Sequence, residues 1–449
     1  MEQLASAFAE VGLICAVLGR PSDSILPAIS RSDIVILDWD IEGDEGASTR
    51  QLISNMCTSD ERRLRMIVIY TAYSQVVQVR ESVEETLHSA FNGRHTLVSD
   101  SHAIKCGPVT VFVYRKRVDK VEEGTVSERD LPARIVHDFA AEMSGIVPNT
   151  GLAAVAAIRE NTFRFLGNVS RSYDPGYLWQ RIRQTYPSDA EDQLVELIAS
   201  EFHAILEDAD VAHYASLEAV YSWLDKEPLD EYTERFTNEP GQERLRLEQI
   251  KQIAKEGVVT IKSAEWQRKY GKMGHDVAGF CDNAEASLKA NREFAEWLSV
   301  KTHYGSRTPW LSLGSVLAVA EGEGHAYWLC LQPKCDSVRL RTETAQFLLL
   351  QLHEGTRKQS DLIIDQCDFE YVSIRYKPEH LKIELFRVDS SEQKVRAVSN
   401  GAGFVFEAVG RNYEWITDLR DDVAIEQAQK MGEALARVGR TRSEWQHRS

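Results

Sequence analysis

The chain has no apolar run long enough to cross a bilayer, and no signal peptide is evident at its start. Those absences lead to the expectation of a cytoplasmic chain with no membrane partner. Cysteine is sparse: seven are scattered over 449 residues, with no CxxC pair. A disulfide framework is therefore excluded, and free thiols in a reducing compartment are expected. Positive charge is also short, with 52 Lys and Arg against 69 Asp and Glu and a formal charge of −17. A surface of that sign is not expected to hold nucleic acid. Sets of the HExxH, GxSxG and DFG type are missing, and KYGKMGH at 269–275 lacks both the Walker spacing and a preceding strand pattern. No motif points to an enzyme. Internal repeats and low-complexity tracts are likewise absent.

What is present suffices for real cores. Hydrophobic residues make up 43% of the chain, and its length predicts two or three domains. The stretch Ser32 to Gly46, SDIVILDWDIEGDEG, organises the first of them. Ile34 to Leu37 is a short β-branched run, predicted to be a parallel strand buried on both faces. It ends in Asp38, Trp39 and Asp40. Open α/β sheets build their sites at the carboxyl ends of such strands. Gly43 and Gly46 supply freedom for a tight loop beside the carboxylate. Two later runs end comparably. RMIVIYTA, from Arg65 to Ala72, ends in the hydroxyl of Thr71 followed by a small residue. VTVFVYRK, from Val109 to Lys116, ends in an ammonium.

An aspartate, a threonine and a lysine, each closing a successive strand, give this part of the chain its resemblance to the receiver domain of bacterial response regulators. Asp38-Trp39, the loop glycine Gly46 and the pair Thr71-Ala72 carry the likeness. The resemblance implies a flavodoxin-like, doubly wound parallel sheet. In it Asp38 would be the phosphoacceptor, Thr71 would bond a phosphoryl oxygen, and Lys116 would neutralise another. It also implies Mg²⁺, held by Asp38 and by Asp40 through its backbone carbonyl. One departure stands out. A receiver starts with a central strand ending in two acids that help hold the metal, and here no acidic pair precedes the first helix. Either the biological start lies upstream, or the sheet closes without that strand.

Around these strands, Glu2 to Val11 is predicted as a helix, Leu13 to Leu18 as a strand, and Ser24 to Ser30 as a short helix. Thr49 to Met56 and Gln75 to Ala90 are predicted as helices. Residues 96–98 and 102–105 suggest a hairpin arm, which makes Lys105 a second candidate for the strand-end lysine. Lys116 is preferred because its strand is longer and more apolar.

The receiver-like domain is placed at 1–118, a helical domain at 119–300, and an α+β domain with mainly antiparallel sheet and a carboxyl-terminal helix at 301–449. In the second, Asn149 or Thr150 is expected to cap a helix from Leu152 to Leu166, with Leu152, Val155, Ala156, Phe163 and Leu166 inward and Gly167 as its stop. Ser188 with Glu191 reads as a capping box for Ala190 to Glu207. Further helices are expected near 217–224, 243–254 and 283–298, and Asp225 to Glu243, which holds Pro228 and Pro240, reads as a solvated hinge. Strands are expected at 315–320, 326–332, 347–352, 362–364, 371–376, 381–388 and 404–409, before a helix from Asp421 to Val438. In CLQPKCD, Cys330 and Cys335 with His325 admit a metal site or buried structural thiols. The lack of a second pair favours thiols. Arg440, Arg442 and Arg448 form a basic end, a solvated tail by default.

GIVPNTGLAAVAAIREN, CLQPKCDSVRL and YEWITDL resemble large bacterial proteins that carry a divergent receiver domain beside histidine-kinase-type ATPases in presumed anti-phage gene neighbourhoods. The resemblance implies a regulatory protein that relays a signal, by phospho-aspartate, to a partner ATPase or effector. The alternative is a phosphorylation-independent adaptor that uses the same fold as a binding surface.

Overall fold

The computed structural model describes residues 2–17, 29, 31–41, 43–59, 65–91, 95, 97–100, 102–117, 124–226, 247–257, 284–303, 307–322, 324–356, 360–364, 367, 371–401 and 403–436. Most of the expected helix at 24–30, most of the hinge at 225–243 and the basic end lie outside them. The chain divides into two compact units, Met1–Trp223 and Leu224–Ser449. No helix among the described residues is long and apolar enough to cross a membrane.

The first unit opens with α1 (Glu2–Glu10), β1 (Ile34–Leu37), α2 (Ala47–Ser59), β2 (Arg65–Thr71) and α3 (Val76–Phe91). It continues through β3 (Leu97–Ser99), β4 (Ala103–Cys106), β5 (Val109–Lys116), β6 (Thr125–Val126) and α4 (Leu131–Glu142). The sheet order is β1-β2-β5-β4-β3, with β6 on β5. Strands β1, β2, β5 and β6 run parallel, while β4 and β3 form the antiparallel hairpin arm. Every residue of β2 is buried, as a central strand covered on both faces requires. On one face Val35, Leu37, Ile67, Ile69 and Val111 pack against Ile53 and Met56 of α2 and Val83 and Leu87 of α3. On the other, Met66, Val68, Phe112 and Tyr114 meet Phe8 of α1 and Leu131 and Ile135 of α4. Each such aliphatic burial contributes roughly 1.5–3 kcal/mol.

Two expectations are corrected. β1 is not buried on both faces: among the described residues it pairs only with β2, and Ile34 is exposed. An edge strand has one neighbour, so its outer side chains lose cover. Residues 13–17 form no strand: Leu13 and Cys15 lean on the core, but Ile14 stands fully exposed and no ladder holds the segment.

Beyond α4 come α5 (Ile146–Asn168), α6 (Asp174–Arg183), α7 (Asp189–Asp208) and α8 (Leu217–Lys226), the last of which spans the boundary between units. Phe165 of α5 meets Phe202 of α7 with ring centroids 4.9 Å apart. The inward face expected for α5 is not inward, since Val155, Phe163 and Leu166 are all exposed. Thr150 caps nothing: it lies inside the helix and returns its hydroxyl to the Ile146 carbonyl at 2.7 Å. Gly167 is helical, and Ser188 forms no side-chain cap. Helical spacing marks an apolar stripe but does not say whether the chain itself covers it.

The second unit holds α9 (Leu247–Glu256) and α10 (Ala284–Ser299), then β7 (Ser315–Glu321), β8 (Gly324–Cys330) and β9 (Thr344–Glu354). β10 (Val372–Ile374), β11 (Leu381–Arg387), β12 (Val398–Ser399), β13 (Phe404–Ala408), β14 (Arg411–Asp418) and α11 (Asp421–Ala436) complete it. The sheet is antiparallel, as expected, but it also closes. β9 pairs β11 through Thr344–Leu350 and β8 through Leu349–Leu352, so β7, β8, β9, β11, β13 and β14 form a six-stranded barrel. Alternation fills its interior with Leu317, Phe347, Leu349, Phe386, Phe406 and Tyr413. The outer face buries Val316, Leu329 and Leu350 with Ala424 and Met431 of α11. The expected strand at 362–364 is only a single bridge, Leu362 to Val372.

Candidate functional site

The loop after β1 is built on Trp39. Its indole is buried, and the guanidinium of Arg50 lies 5.6 Å from the ring centroid. Gly46 has φ +86°, and a Cβ there would come within 2.3 Å of the indole, so only glycine fits. Thr49, fully buried in α2, donates its hydroxyl to the carbonyls of Asp38 and Trp39 at 2.7 and 2.9 Å. Helix and loop are thereby fixed, and the Asp38 side chain is left half-buried at the strand end.

Asp38 Oδ2 forms an ion pair with Lys116 Nζ from the end of β5. The lysine crosses the intervening strand above Tyr70, with Nζ 5.3 Å from the ring centroid. Tyr70 donates its hydroxyl to the Val126 carbonyl of β6 at 3.0 Å. Burial, helped by the charge of Glu128, pushes that phenol up to about 12. Thr71 is also buried at its strand end, but its hydroxyl oxygen accepts the Tyr73 N–H at 3.1 Å, and no bond joins it to Asp38 or Lys116. Strand alternation explains the split. Asp38, Tyr70 and Lys116 follow the face of α1 and α4, whereas Thr71 follows Ile67 and Ile69 on the face of α2 and α3. Lys105, the other candidate lysine, sits inside β4, pairs with Thr110 and forms an ion pair with Glu142 of α4.

The remaining acids of the loop serve the backbone. Asp40 Oδ1 accepts the Glu45 N–H at 3.1 Å. Asp44 accepts the Ser48 N–H at 2.7 Å and the Gly46 N–H at 3.2 Å, capping α2. The Ser48 hydroxyl is the largest cause holding the Asp44 carboxyl below its ordinary range. Among the described residues no group of three His, Cys, Asp or Glu could hold a metal ion. Mg²⁺ prefers carboxylate oxygens in octahedral array. Asp38 Oδ2 is engaged by Lys116 and Asp40 Oδ1 by the Glu45 N–H, so each carboxylate has one oxygen committed, and neither bond involves the Asp40 carbonyl expected to hold the ion. A surface depression of about 310 Å³ is lined by Glu84, Glu85, His88, Ser89 and Leu97, and includes neither Asp38 nor Lys116.

Two networks were missed by sequence reasoning. Thr49 and Tyr70 support Asp38 and Lys116 from positions that carry no motif. Tyr114 of β5 donates its hydroxyl to Asp138 of α4 at 2.7 Å, and Arg134 Nε and His137 Nδ1 meet the same carboxylate at 2.7 and 3.0 Å. The only hint was Arg134 preceding Asp138 by four residues on a helical pattern. In the second unit Cys330 is buried, and its thiol is pushed up to about 12 by that burial. Cys335 is exposed, so the pair is not the two buried thiols expected.

A family model described as the response receiver domain matches residues 1–121. No curated protein and no solved structure matches the chain. The parallel sheet, the strand-end aspartate and the lysine reaching it agree with the family match: residues 1–121 are a response-regulator receiver domain.

Proposed function

We infer that the receiver domain gives the chain a signalling or regulatory role with protein partners. We propose that Asp38 is the phosphoacceptor of this domain and that the state of its ion pair with Lys116 governs contacts made by the helical region. The carrying observation is that Lys116, at the end of β5, reaches Asp38 across a whole strand. β5 is also the strand that holds α4 through Tyr114 and Asp138. A change at Asp38 therefore has a short path to α4 and onward to α5. The output surface is placed on α5, α6 and α7, where Phe163, Leu166, Trp179, Ile182 and Leu197 are between 58% and 70% exposed. Exposed apolar side chains grouped on neighbouring helices support a protein-interaction surface there. The partner proposed is the histidine-kinase-type ATPase of the resemblance, in a cytoplasmic, two-component-like antiviral defence system. Domain limits at 118 and 300 belong to the same proposal.

A second reading is the adaptor that works without phosphorylation. It is favoured by the commitment of Asp40 and Asp44 to backbone N–H groups, which leaves Asp38 with few acidic neighbours.

The test is partner capture by the full chain from its native host, comparing the parent with Asp38→Asn, Lys116→Gln and Phe163→Glu/Ile182→Glu. The first reading requires that the helical double variant lose the partner and that Asp38→Asn change the amount captured. Loss by the helical variant with Asp38→Asn silent selects the adaptor. Full retention by the helical variant overturns the output surface.

A further inference from the structure

The two ends of the carboxyl-terminal barrel differ. One end is closed by apolar residues, with Leu311, Val395 and Ala397 fully or almost fully buried against the interior. At the other, where β11 and β14 begin, the inward-facing positions turn polar. Lys382 and Glu384 continue the inward face of Phe386, and Arg411 continues that of Tyr413. Barrel mouths that combine apolar walls with a few convergent polar groups are a preferred place for small ligands.

The polar groups there are unequal in number and exposure. The Glu384 side chain is 10% exposed, and its Oε2 receives Lys382 Nζ at 2.5 Å, Arg411 Nε and Nη2 at 3.0 and 2.7 Å, and the Tyr413 hydroxyl. Lys382 and Arg411 are 25% and 44% exposed. Two cations thus face the mouth, while the one carboxylate that orients them lies beneath. Lys382 also donates to the Tyr413 hydroxyl at 2.8 Å, which leaves its third N–H and the Arg411 Nη1 group without an acceptor among the described residues. Beside them, Lys382 Nζ lies 5.3 Å from the Trp328 ring centroid, and the buried Nε1–H of Trp328 has no partner among the described residues. With two cations against one carboxylate, the group leaves a net positive charge at this edge of the barrel.

We propose that this mouth binds a small oxyanion, the phosphate or carboxylate group of a ligand, between Lys382 and Arg411, beside the Trp328 ring. Arg411 supplies planar paired donors, Lys382 a compact charge, and Glu384 holds both in place from below. The site lies in the second unit and does not depend on phosphorylation at Asp38.

The experiment uses the full chain labelled with 5-fluorotryptophan, whose nine signals include Trp328 and, as an internal control, Trp415. Trp415 also has a buried, unpartnered Nε1, but it packs against His303 and Phe404 and has no cation over its ring. Trp328→Phe assigns the signal. Inorganic phosphate and acetate are titrated separately against chloride at equal ionic strength. A saturable shift of the Trp328 signal with either, without a matching shift of Trp415 or a response to chloride, is the expected result. Phosphate alone assigns a phosphorylated ligand, acetate alone a carboxylate, and both the shared class. Lys382→Gln should weaken the response at least about tenfold. Arg411→Gln, at a more exposed position, should do the same should Lys382→Gln fail to fold. A Trp328 signal unmoved by both anions overturns the proposal, and so does an undiminished response in a folded Lys382→Gln or Arg411→Gln variant.

Discussion

The hydroxyl of Tyr114 on β5 donates to the carboxylate of Asp138 on α4 at 2.7 Å, and both side chains are buried. This bond ties the strand that ends in Lys116 to the first helix after the sheet. Tyr114→Phe keeps the ring and removes the donor. Asp138 retains Arg134 and His137, so the loss is expected to be about 1–3 kcal/mol of unfolding free energy. Urea unfolding of the parent and the variant measures it, and an unchanged midpoint would show that the bond contributes nothing.

The same carboxylate gives a pH dependence. Burial pushes the Asp138 carboxyl up, but bonds from His137, Tyr114 and Arg134 outweigh it and hold the group below its ordinary range. A depressed carboxylate contributes stability that is present above its unfolded pKa and lost as pH falls through the folded one. Stability should therefore drop on acidification below the ordinary carboxylate range, and Asp138→Asn should flatten that part of the curve. Thermal melts from about pH 6 down to about pH 2, which take in the ordinary aspartate pKa of about 3.9 and the range below it, supply the comparison. Equal slopes for the parent and the variant would contradict it.

Gly46→Ala is expected to be costly out of proportion to one methyl group. The backbone sits at φ +86°, and the new Cβ would lie 2.3 Å from the Trp39 ring. Strain of this kind costs on the order of 1–3 kcal/mol before any shift of the indole. Trp39→Leu should itself destabilise by leaving a cavity, yet it should relieve part of the clash. The double variant is then less destabilised than the sum of the singles. Simple additivity of the three melting free energies would exclude a ring contact as the cause.

Small phosphodonors with Mg²⁺ in solution are expected to label the chain well below one phosphoryl group per molecule. Asp40 and Asp44 are held by backbone N–H groups, and Asp38 is paired with Lys116. Phosphate quantified by mass spectrometry of the intact chain gives the stoichiometry. Stoichiometric uptake that disappears in Asp38→Asn would show that the loop acids leave their backbone partners to complete a metal site.

Much of the amino-terminal domain was legible because its information is local. The run Ile34 to Leu37, the Asp38-Trp39 pair and the apolar segments ending in Thr71 and Lys116 each declare a strand and its end. The turn glycine Gly46 declares its backbone, since a left-handed φ tolerates little else. The antiparallel character of the last third was legible from alternation along Leu381–Arg387.

What the sequence could not decide was which strands become neighbours and which face each side chain meets. β1 came to lie at a sheet edge because no described strand pairs beyond it, and an apolar run looks the same at an edge as at a centre. Thr71 and Lys116 both end strands, yet pleating places them on opposite faces, and only Lys116 meets Asp38. The stripe on α5 has helical spacing whether or not anything covers it, so its exposure had to come from packing. The closure of β9 on both β8 and β11 rests on pairings between segments far apart in the chain, and the cluster of Lys382, Glu384 and Arg411 exists only because that closure occurs. Local propensity sets the elements. Long-range hydrogen bonding and the burial of each face, which depend on the whole chain at once, set the site.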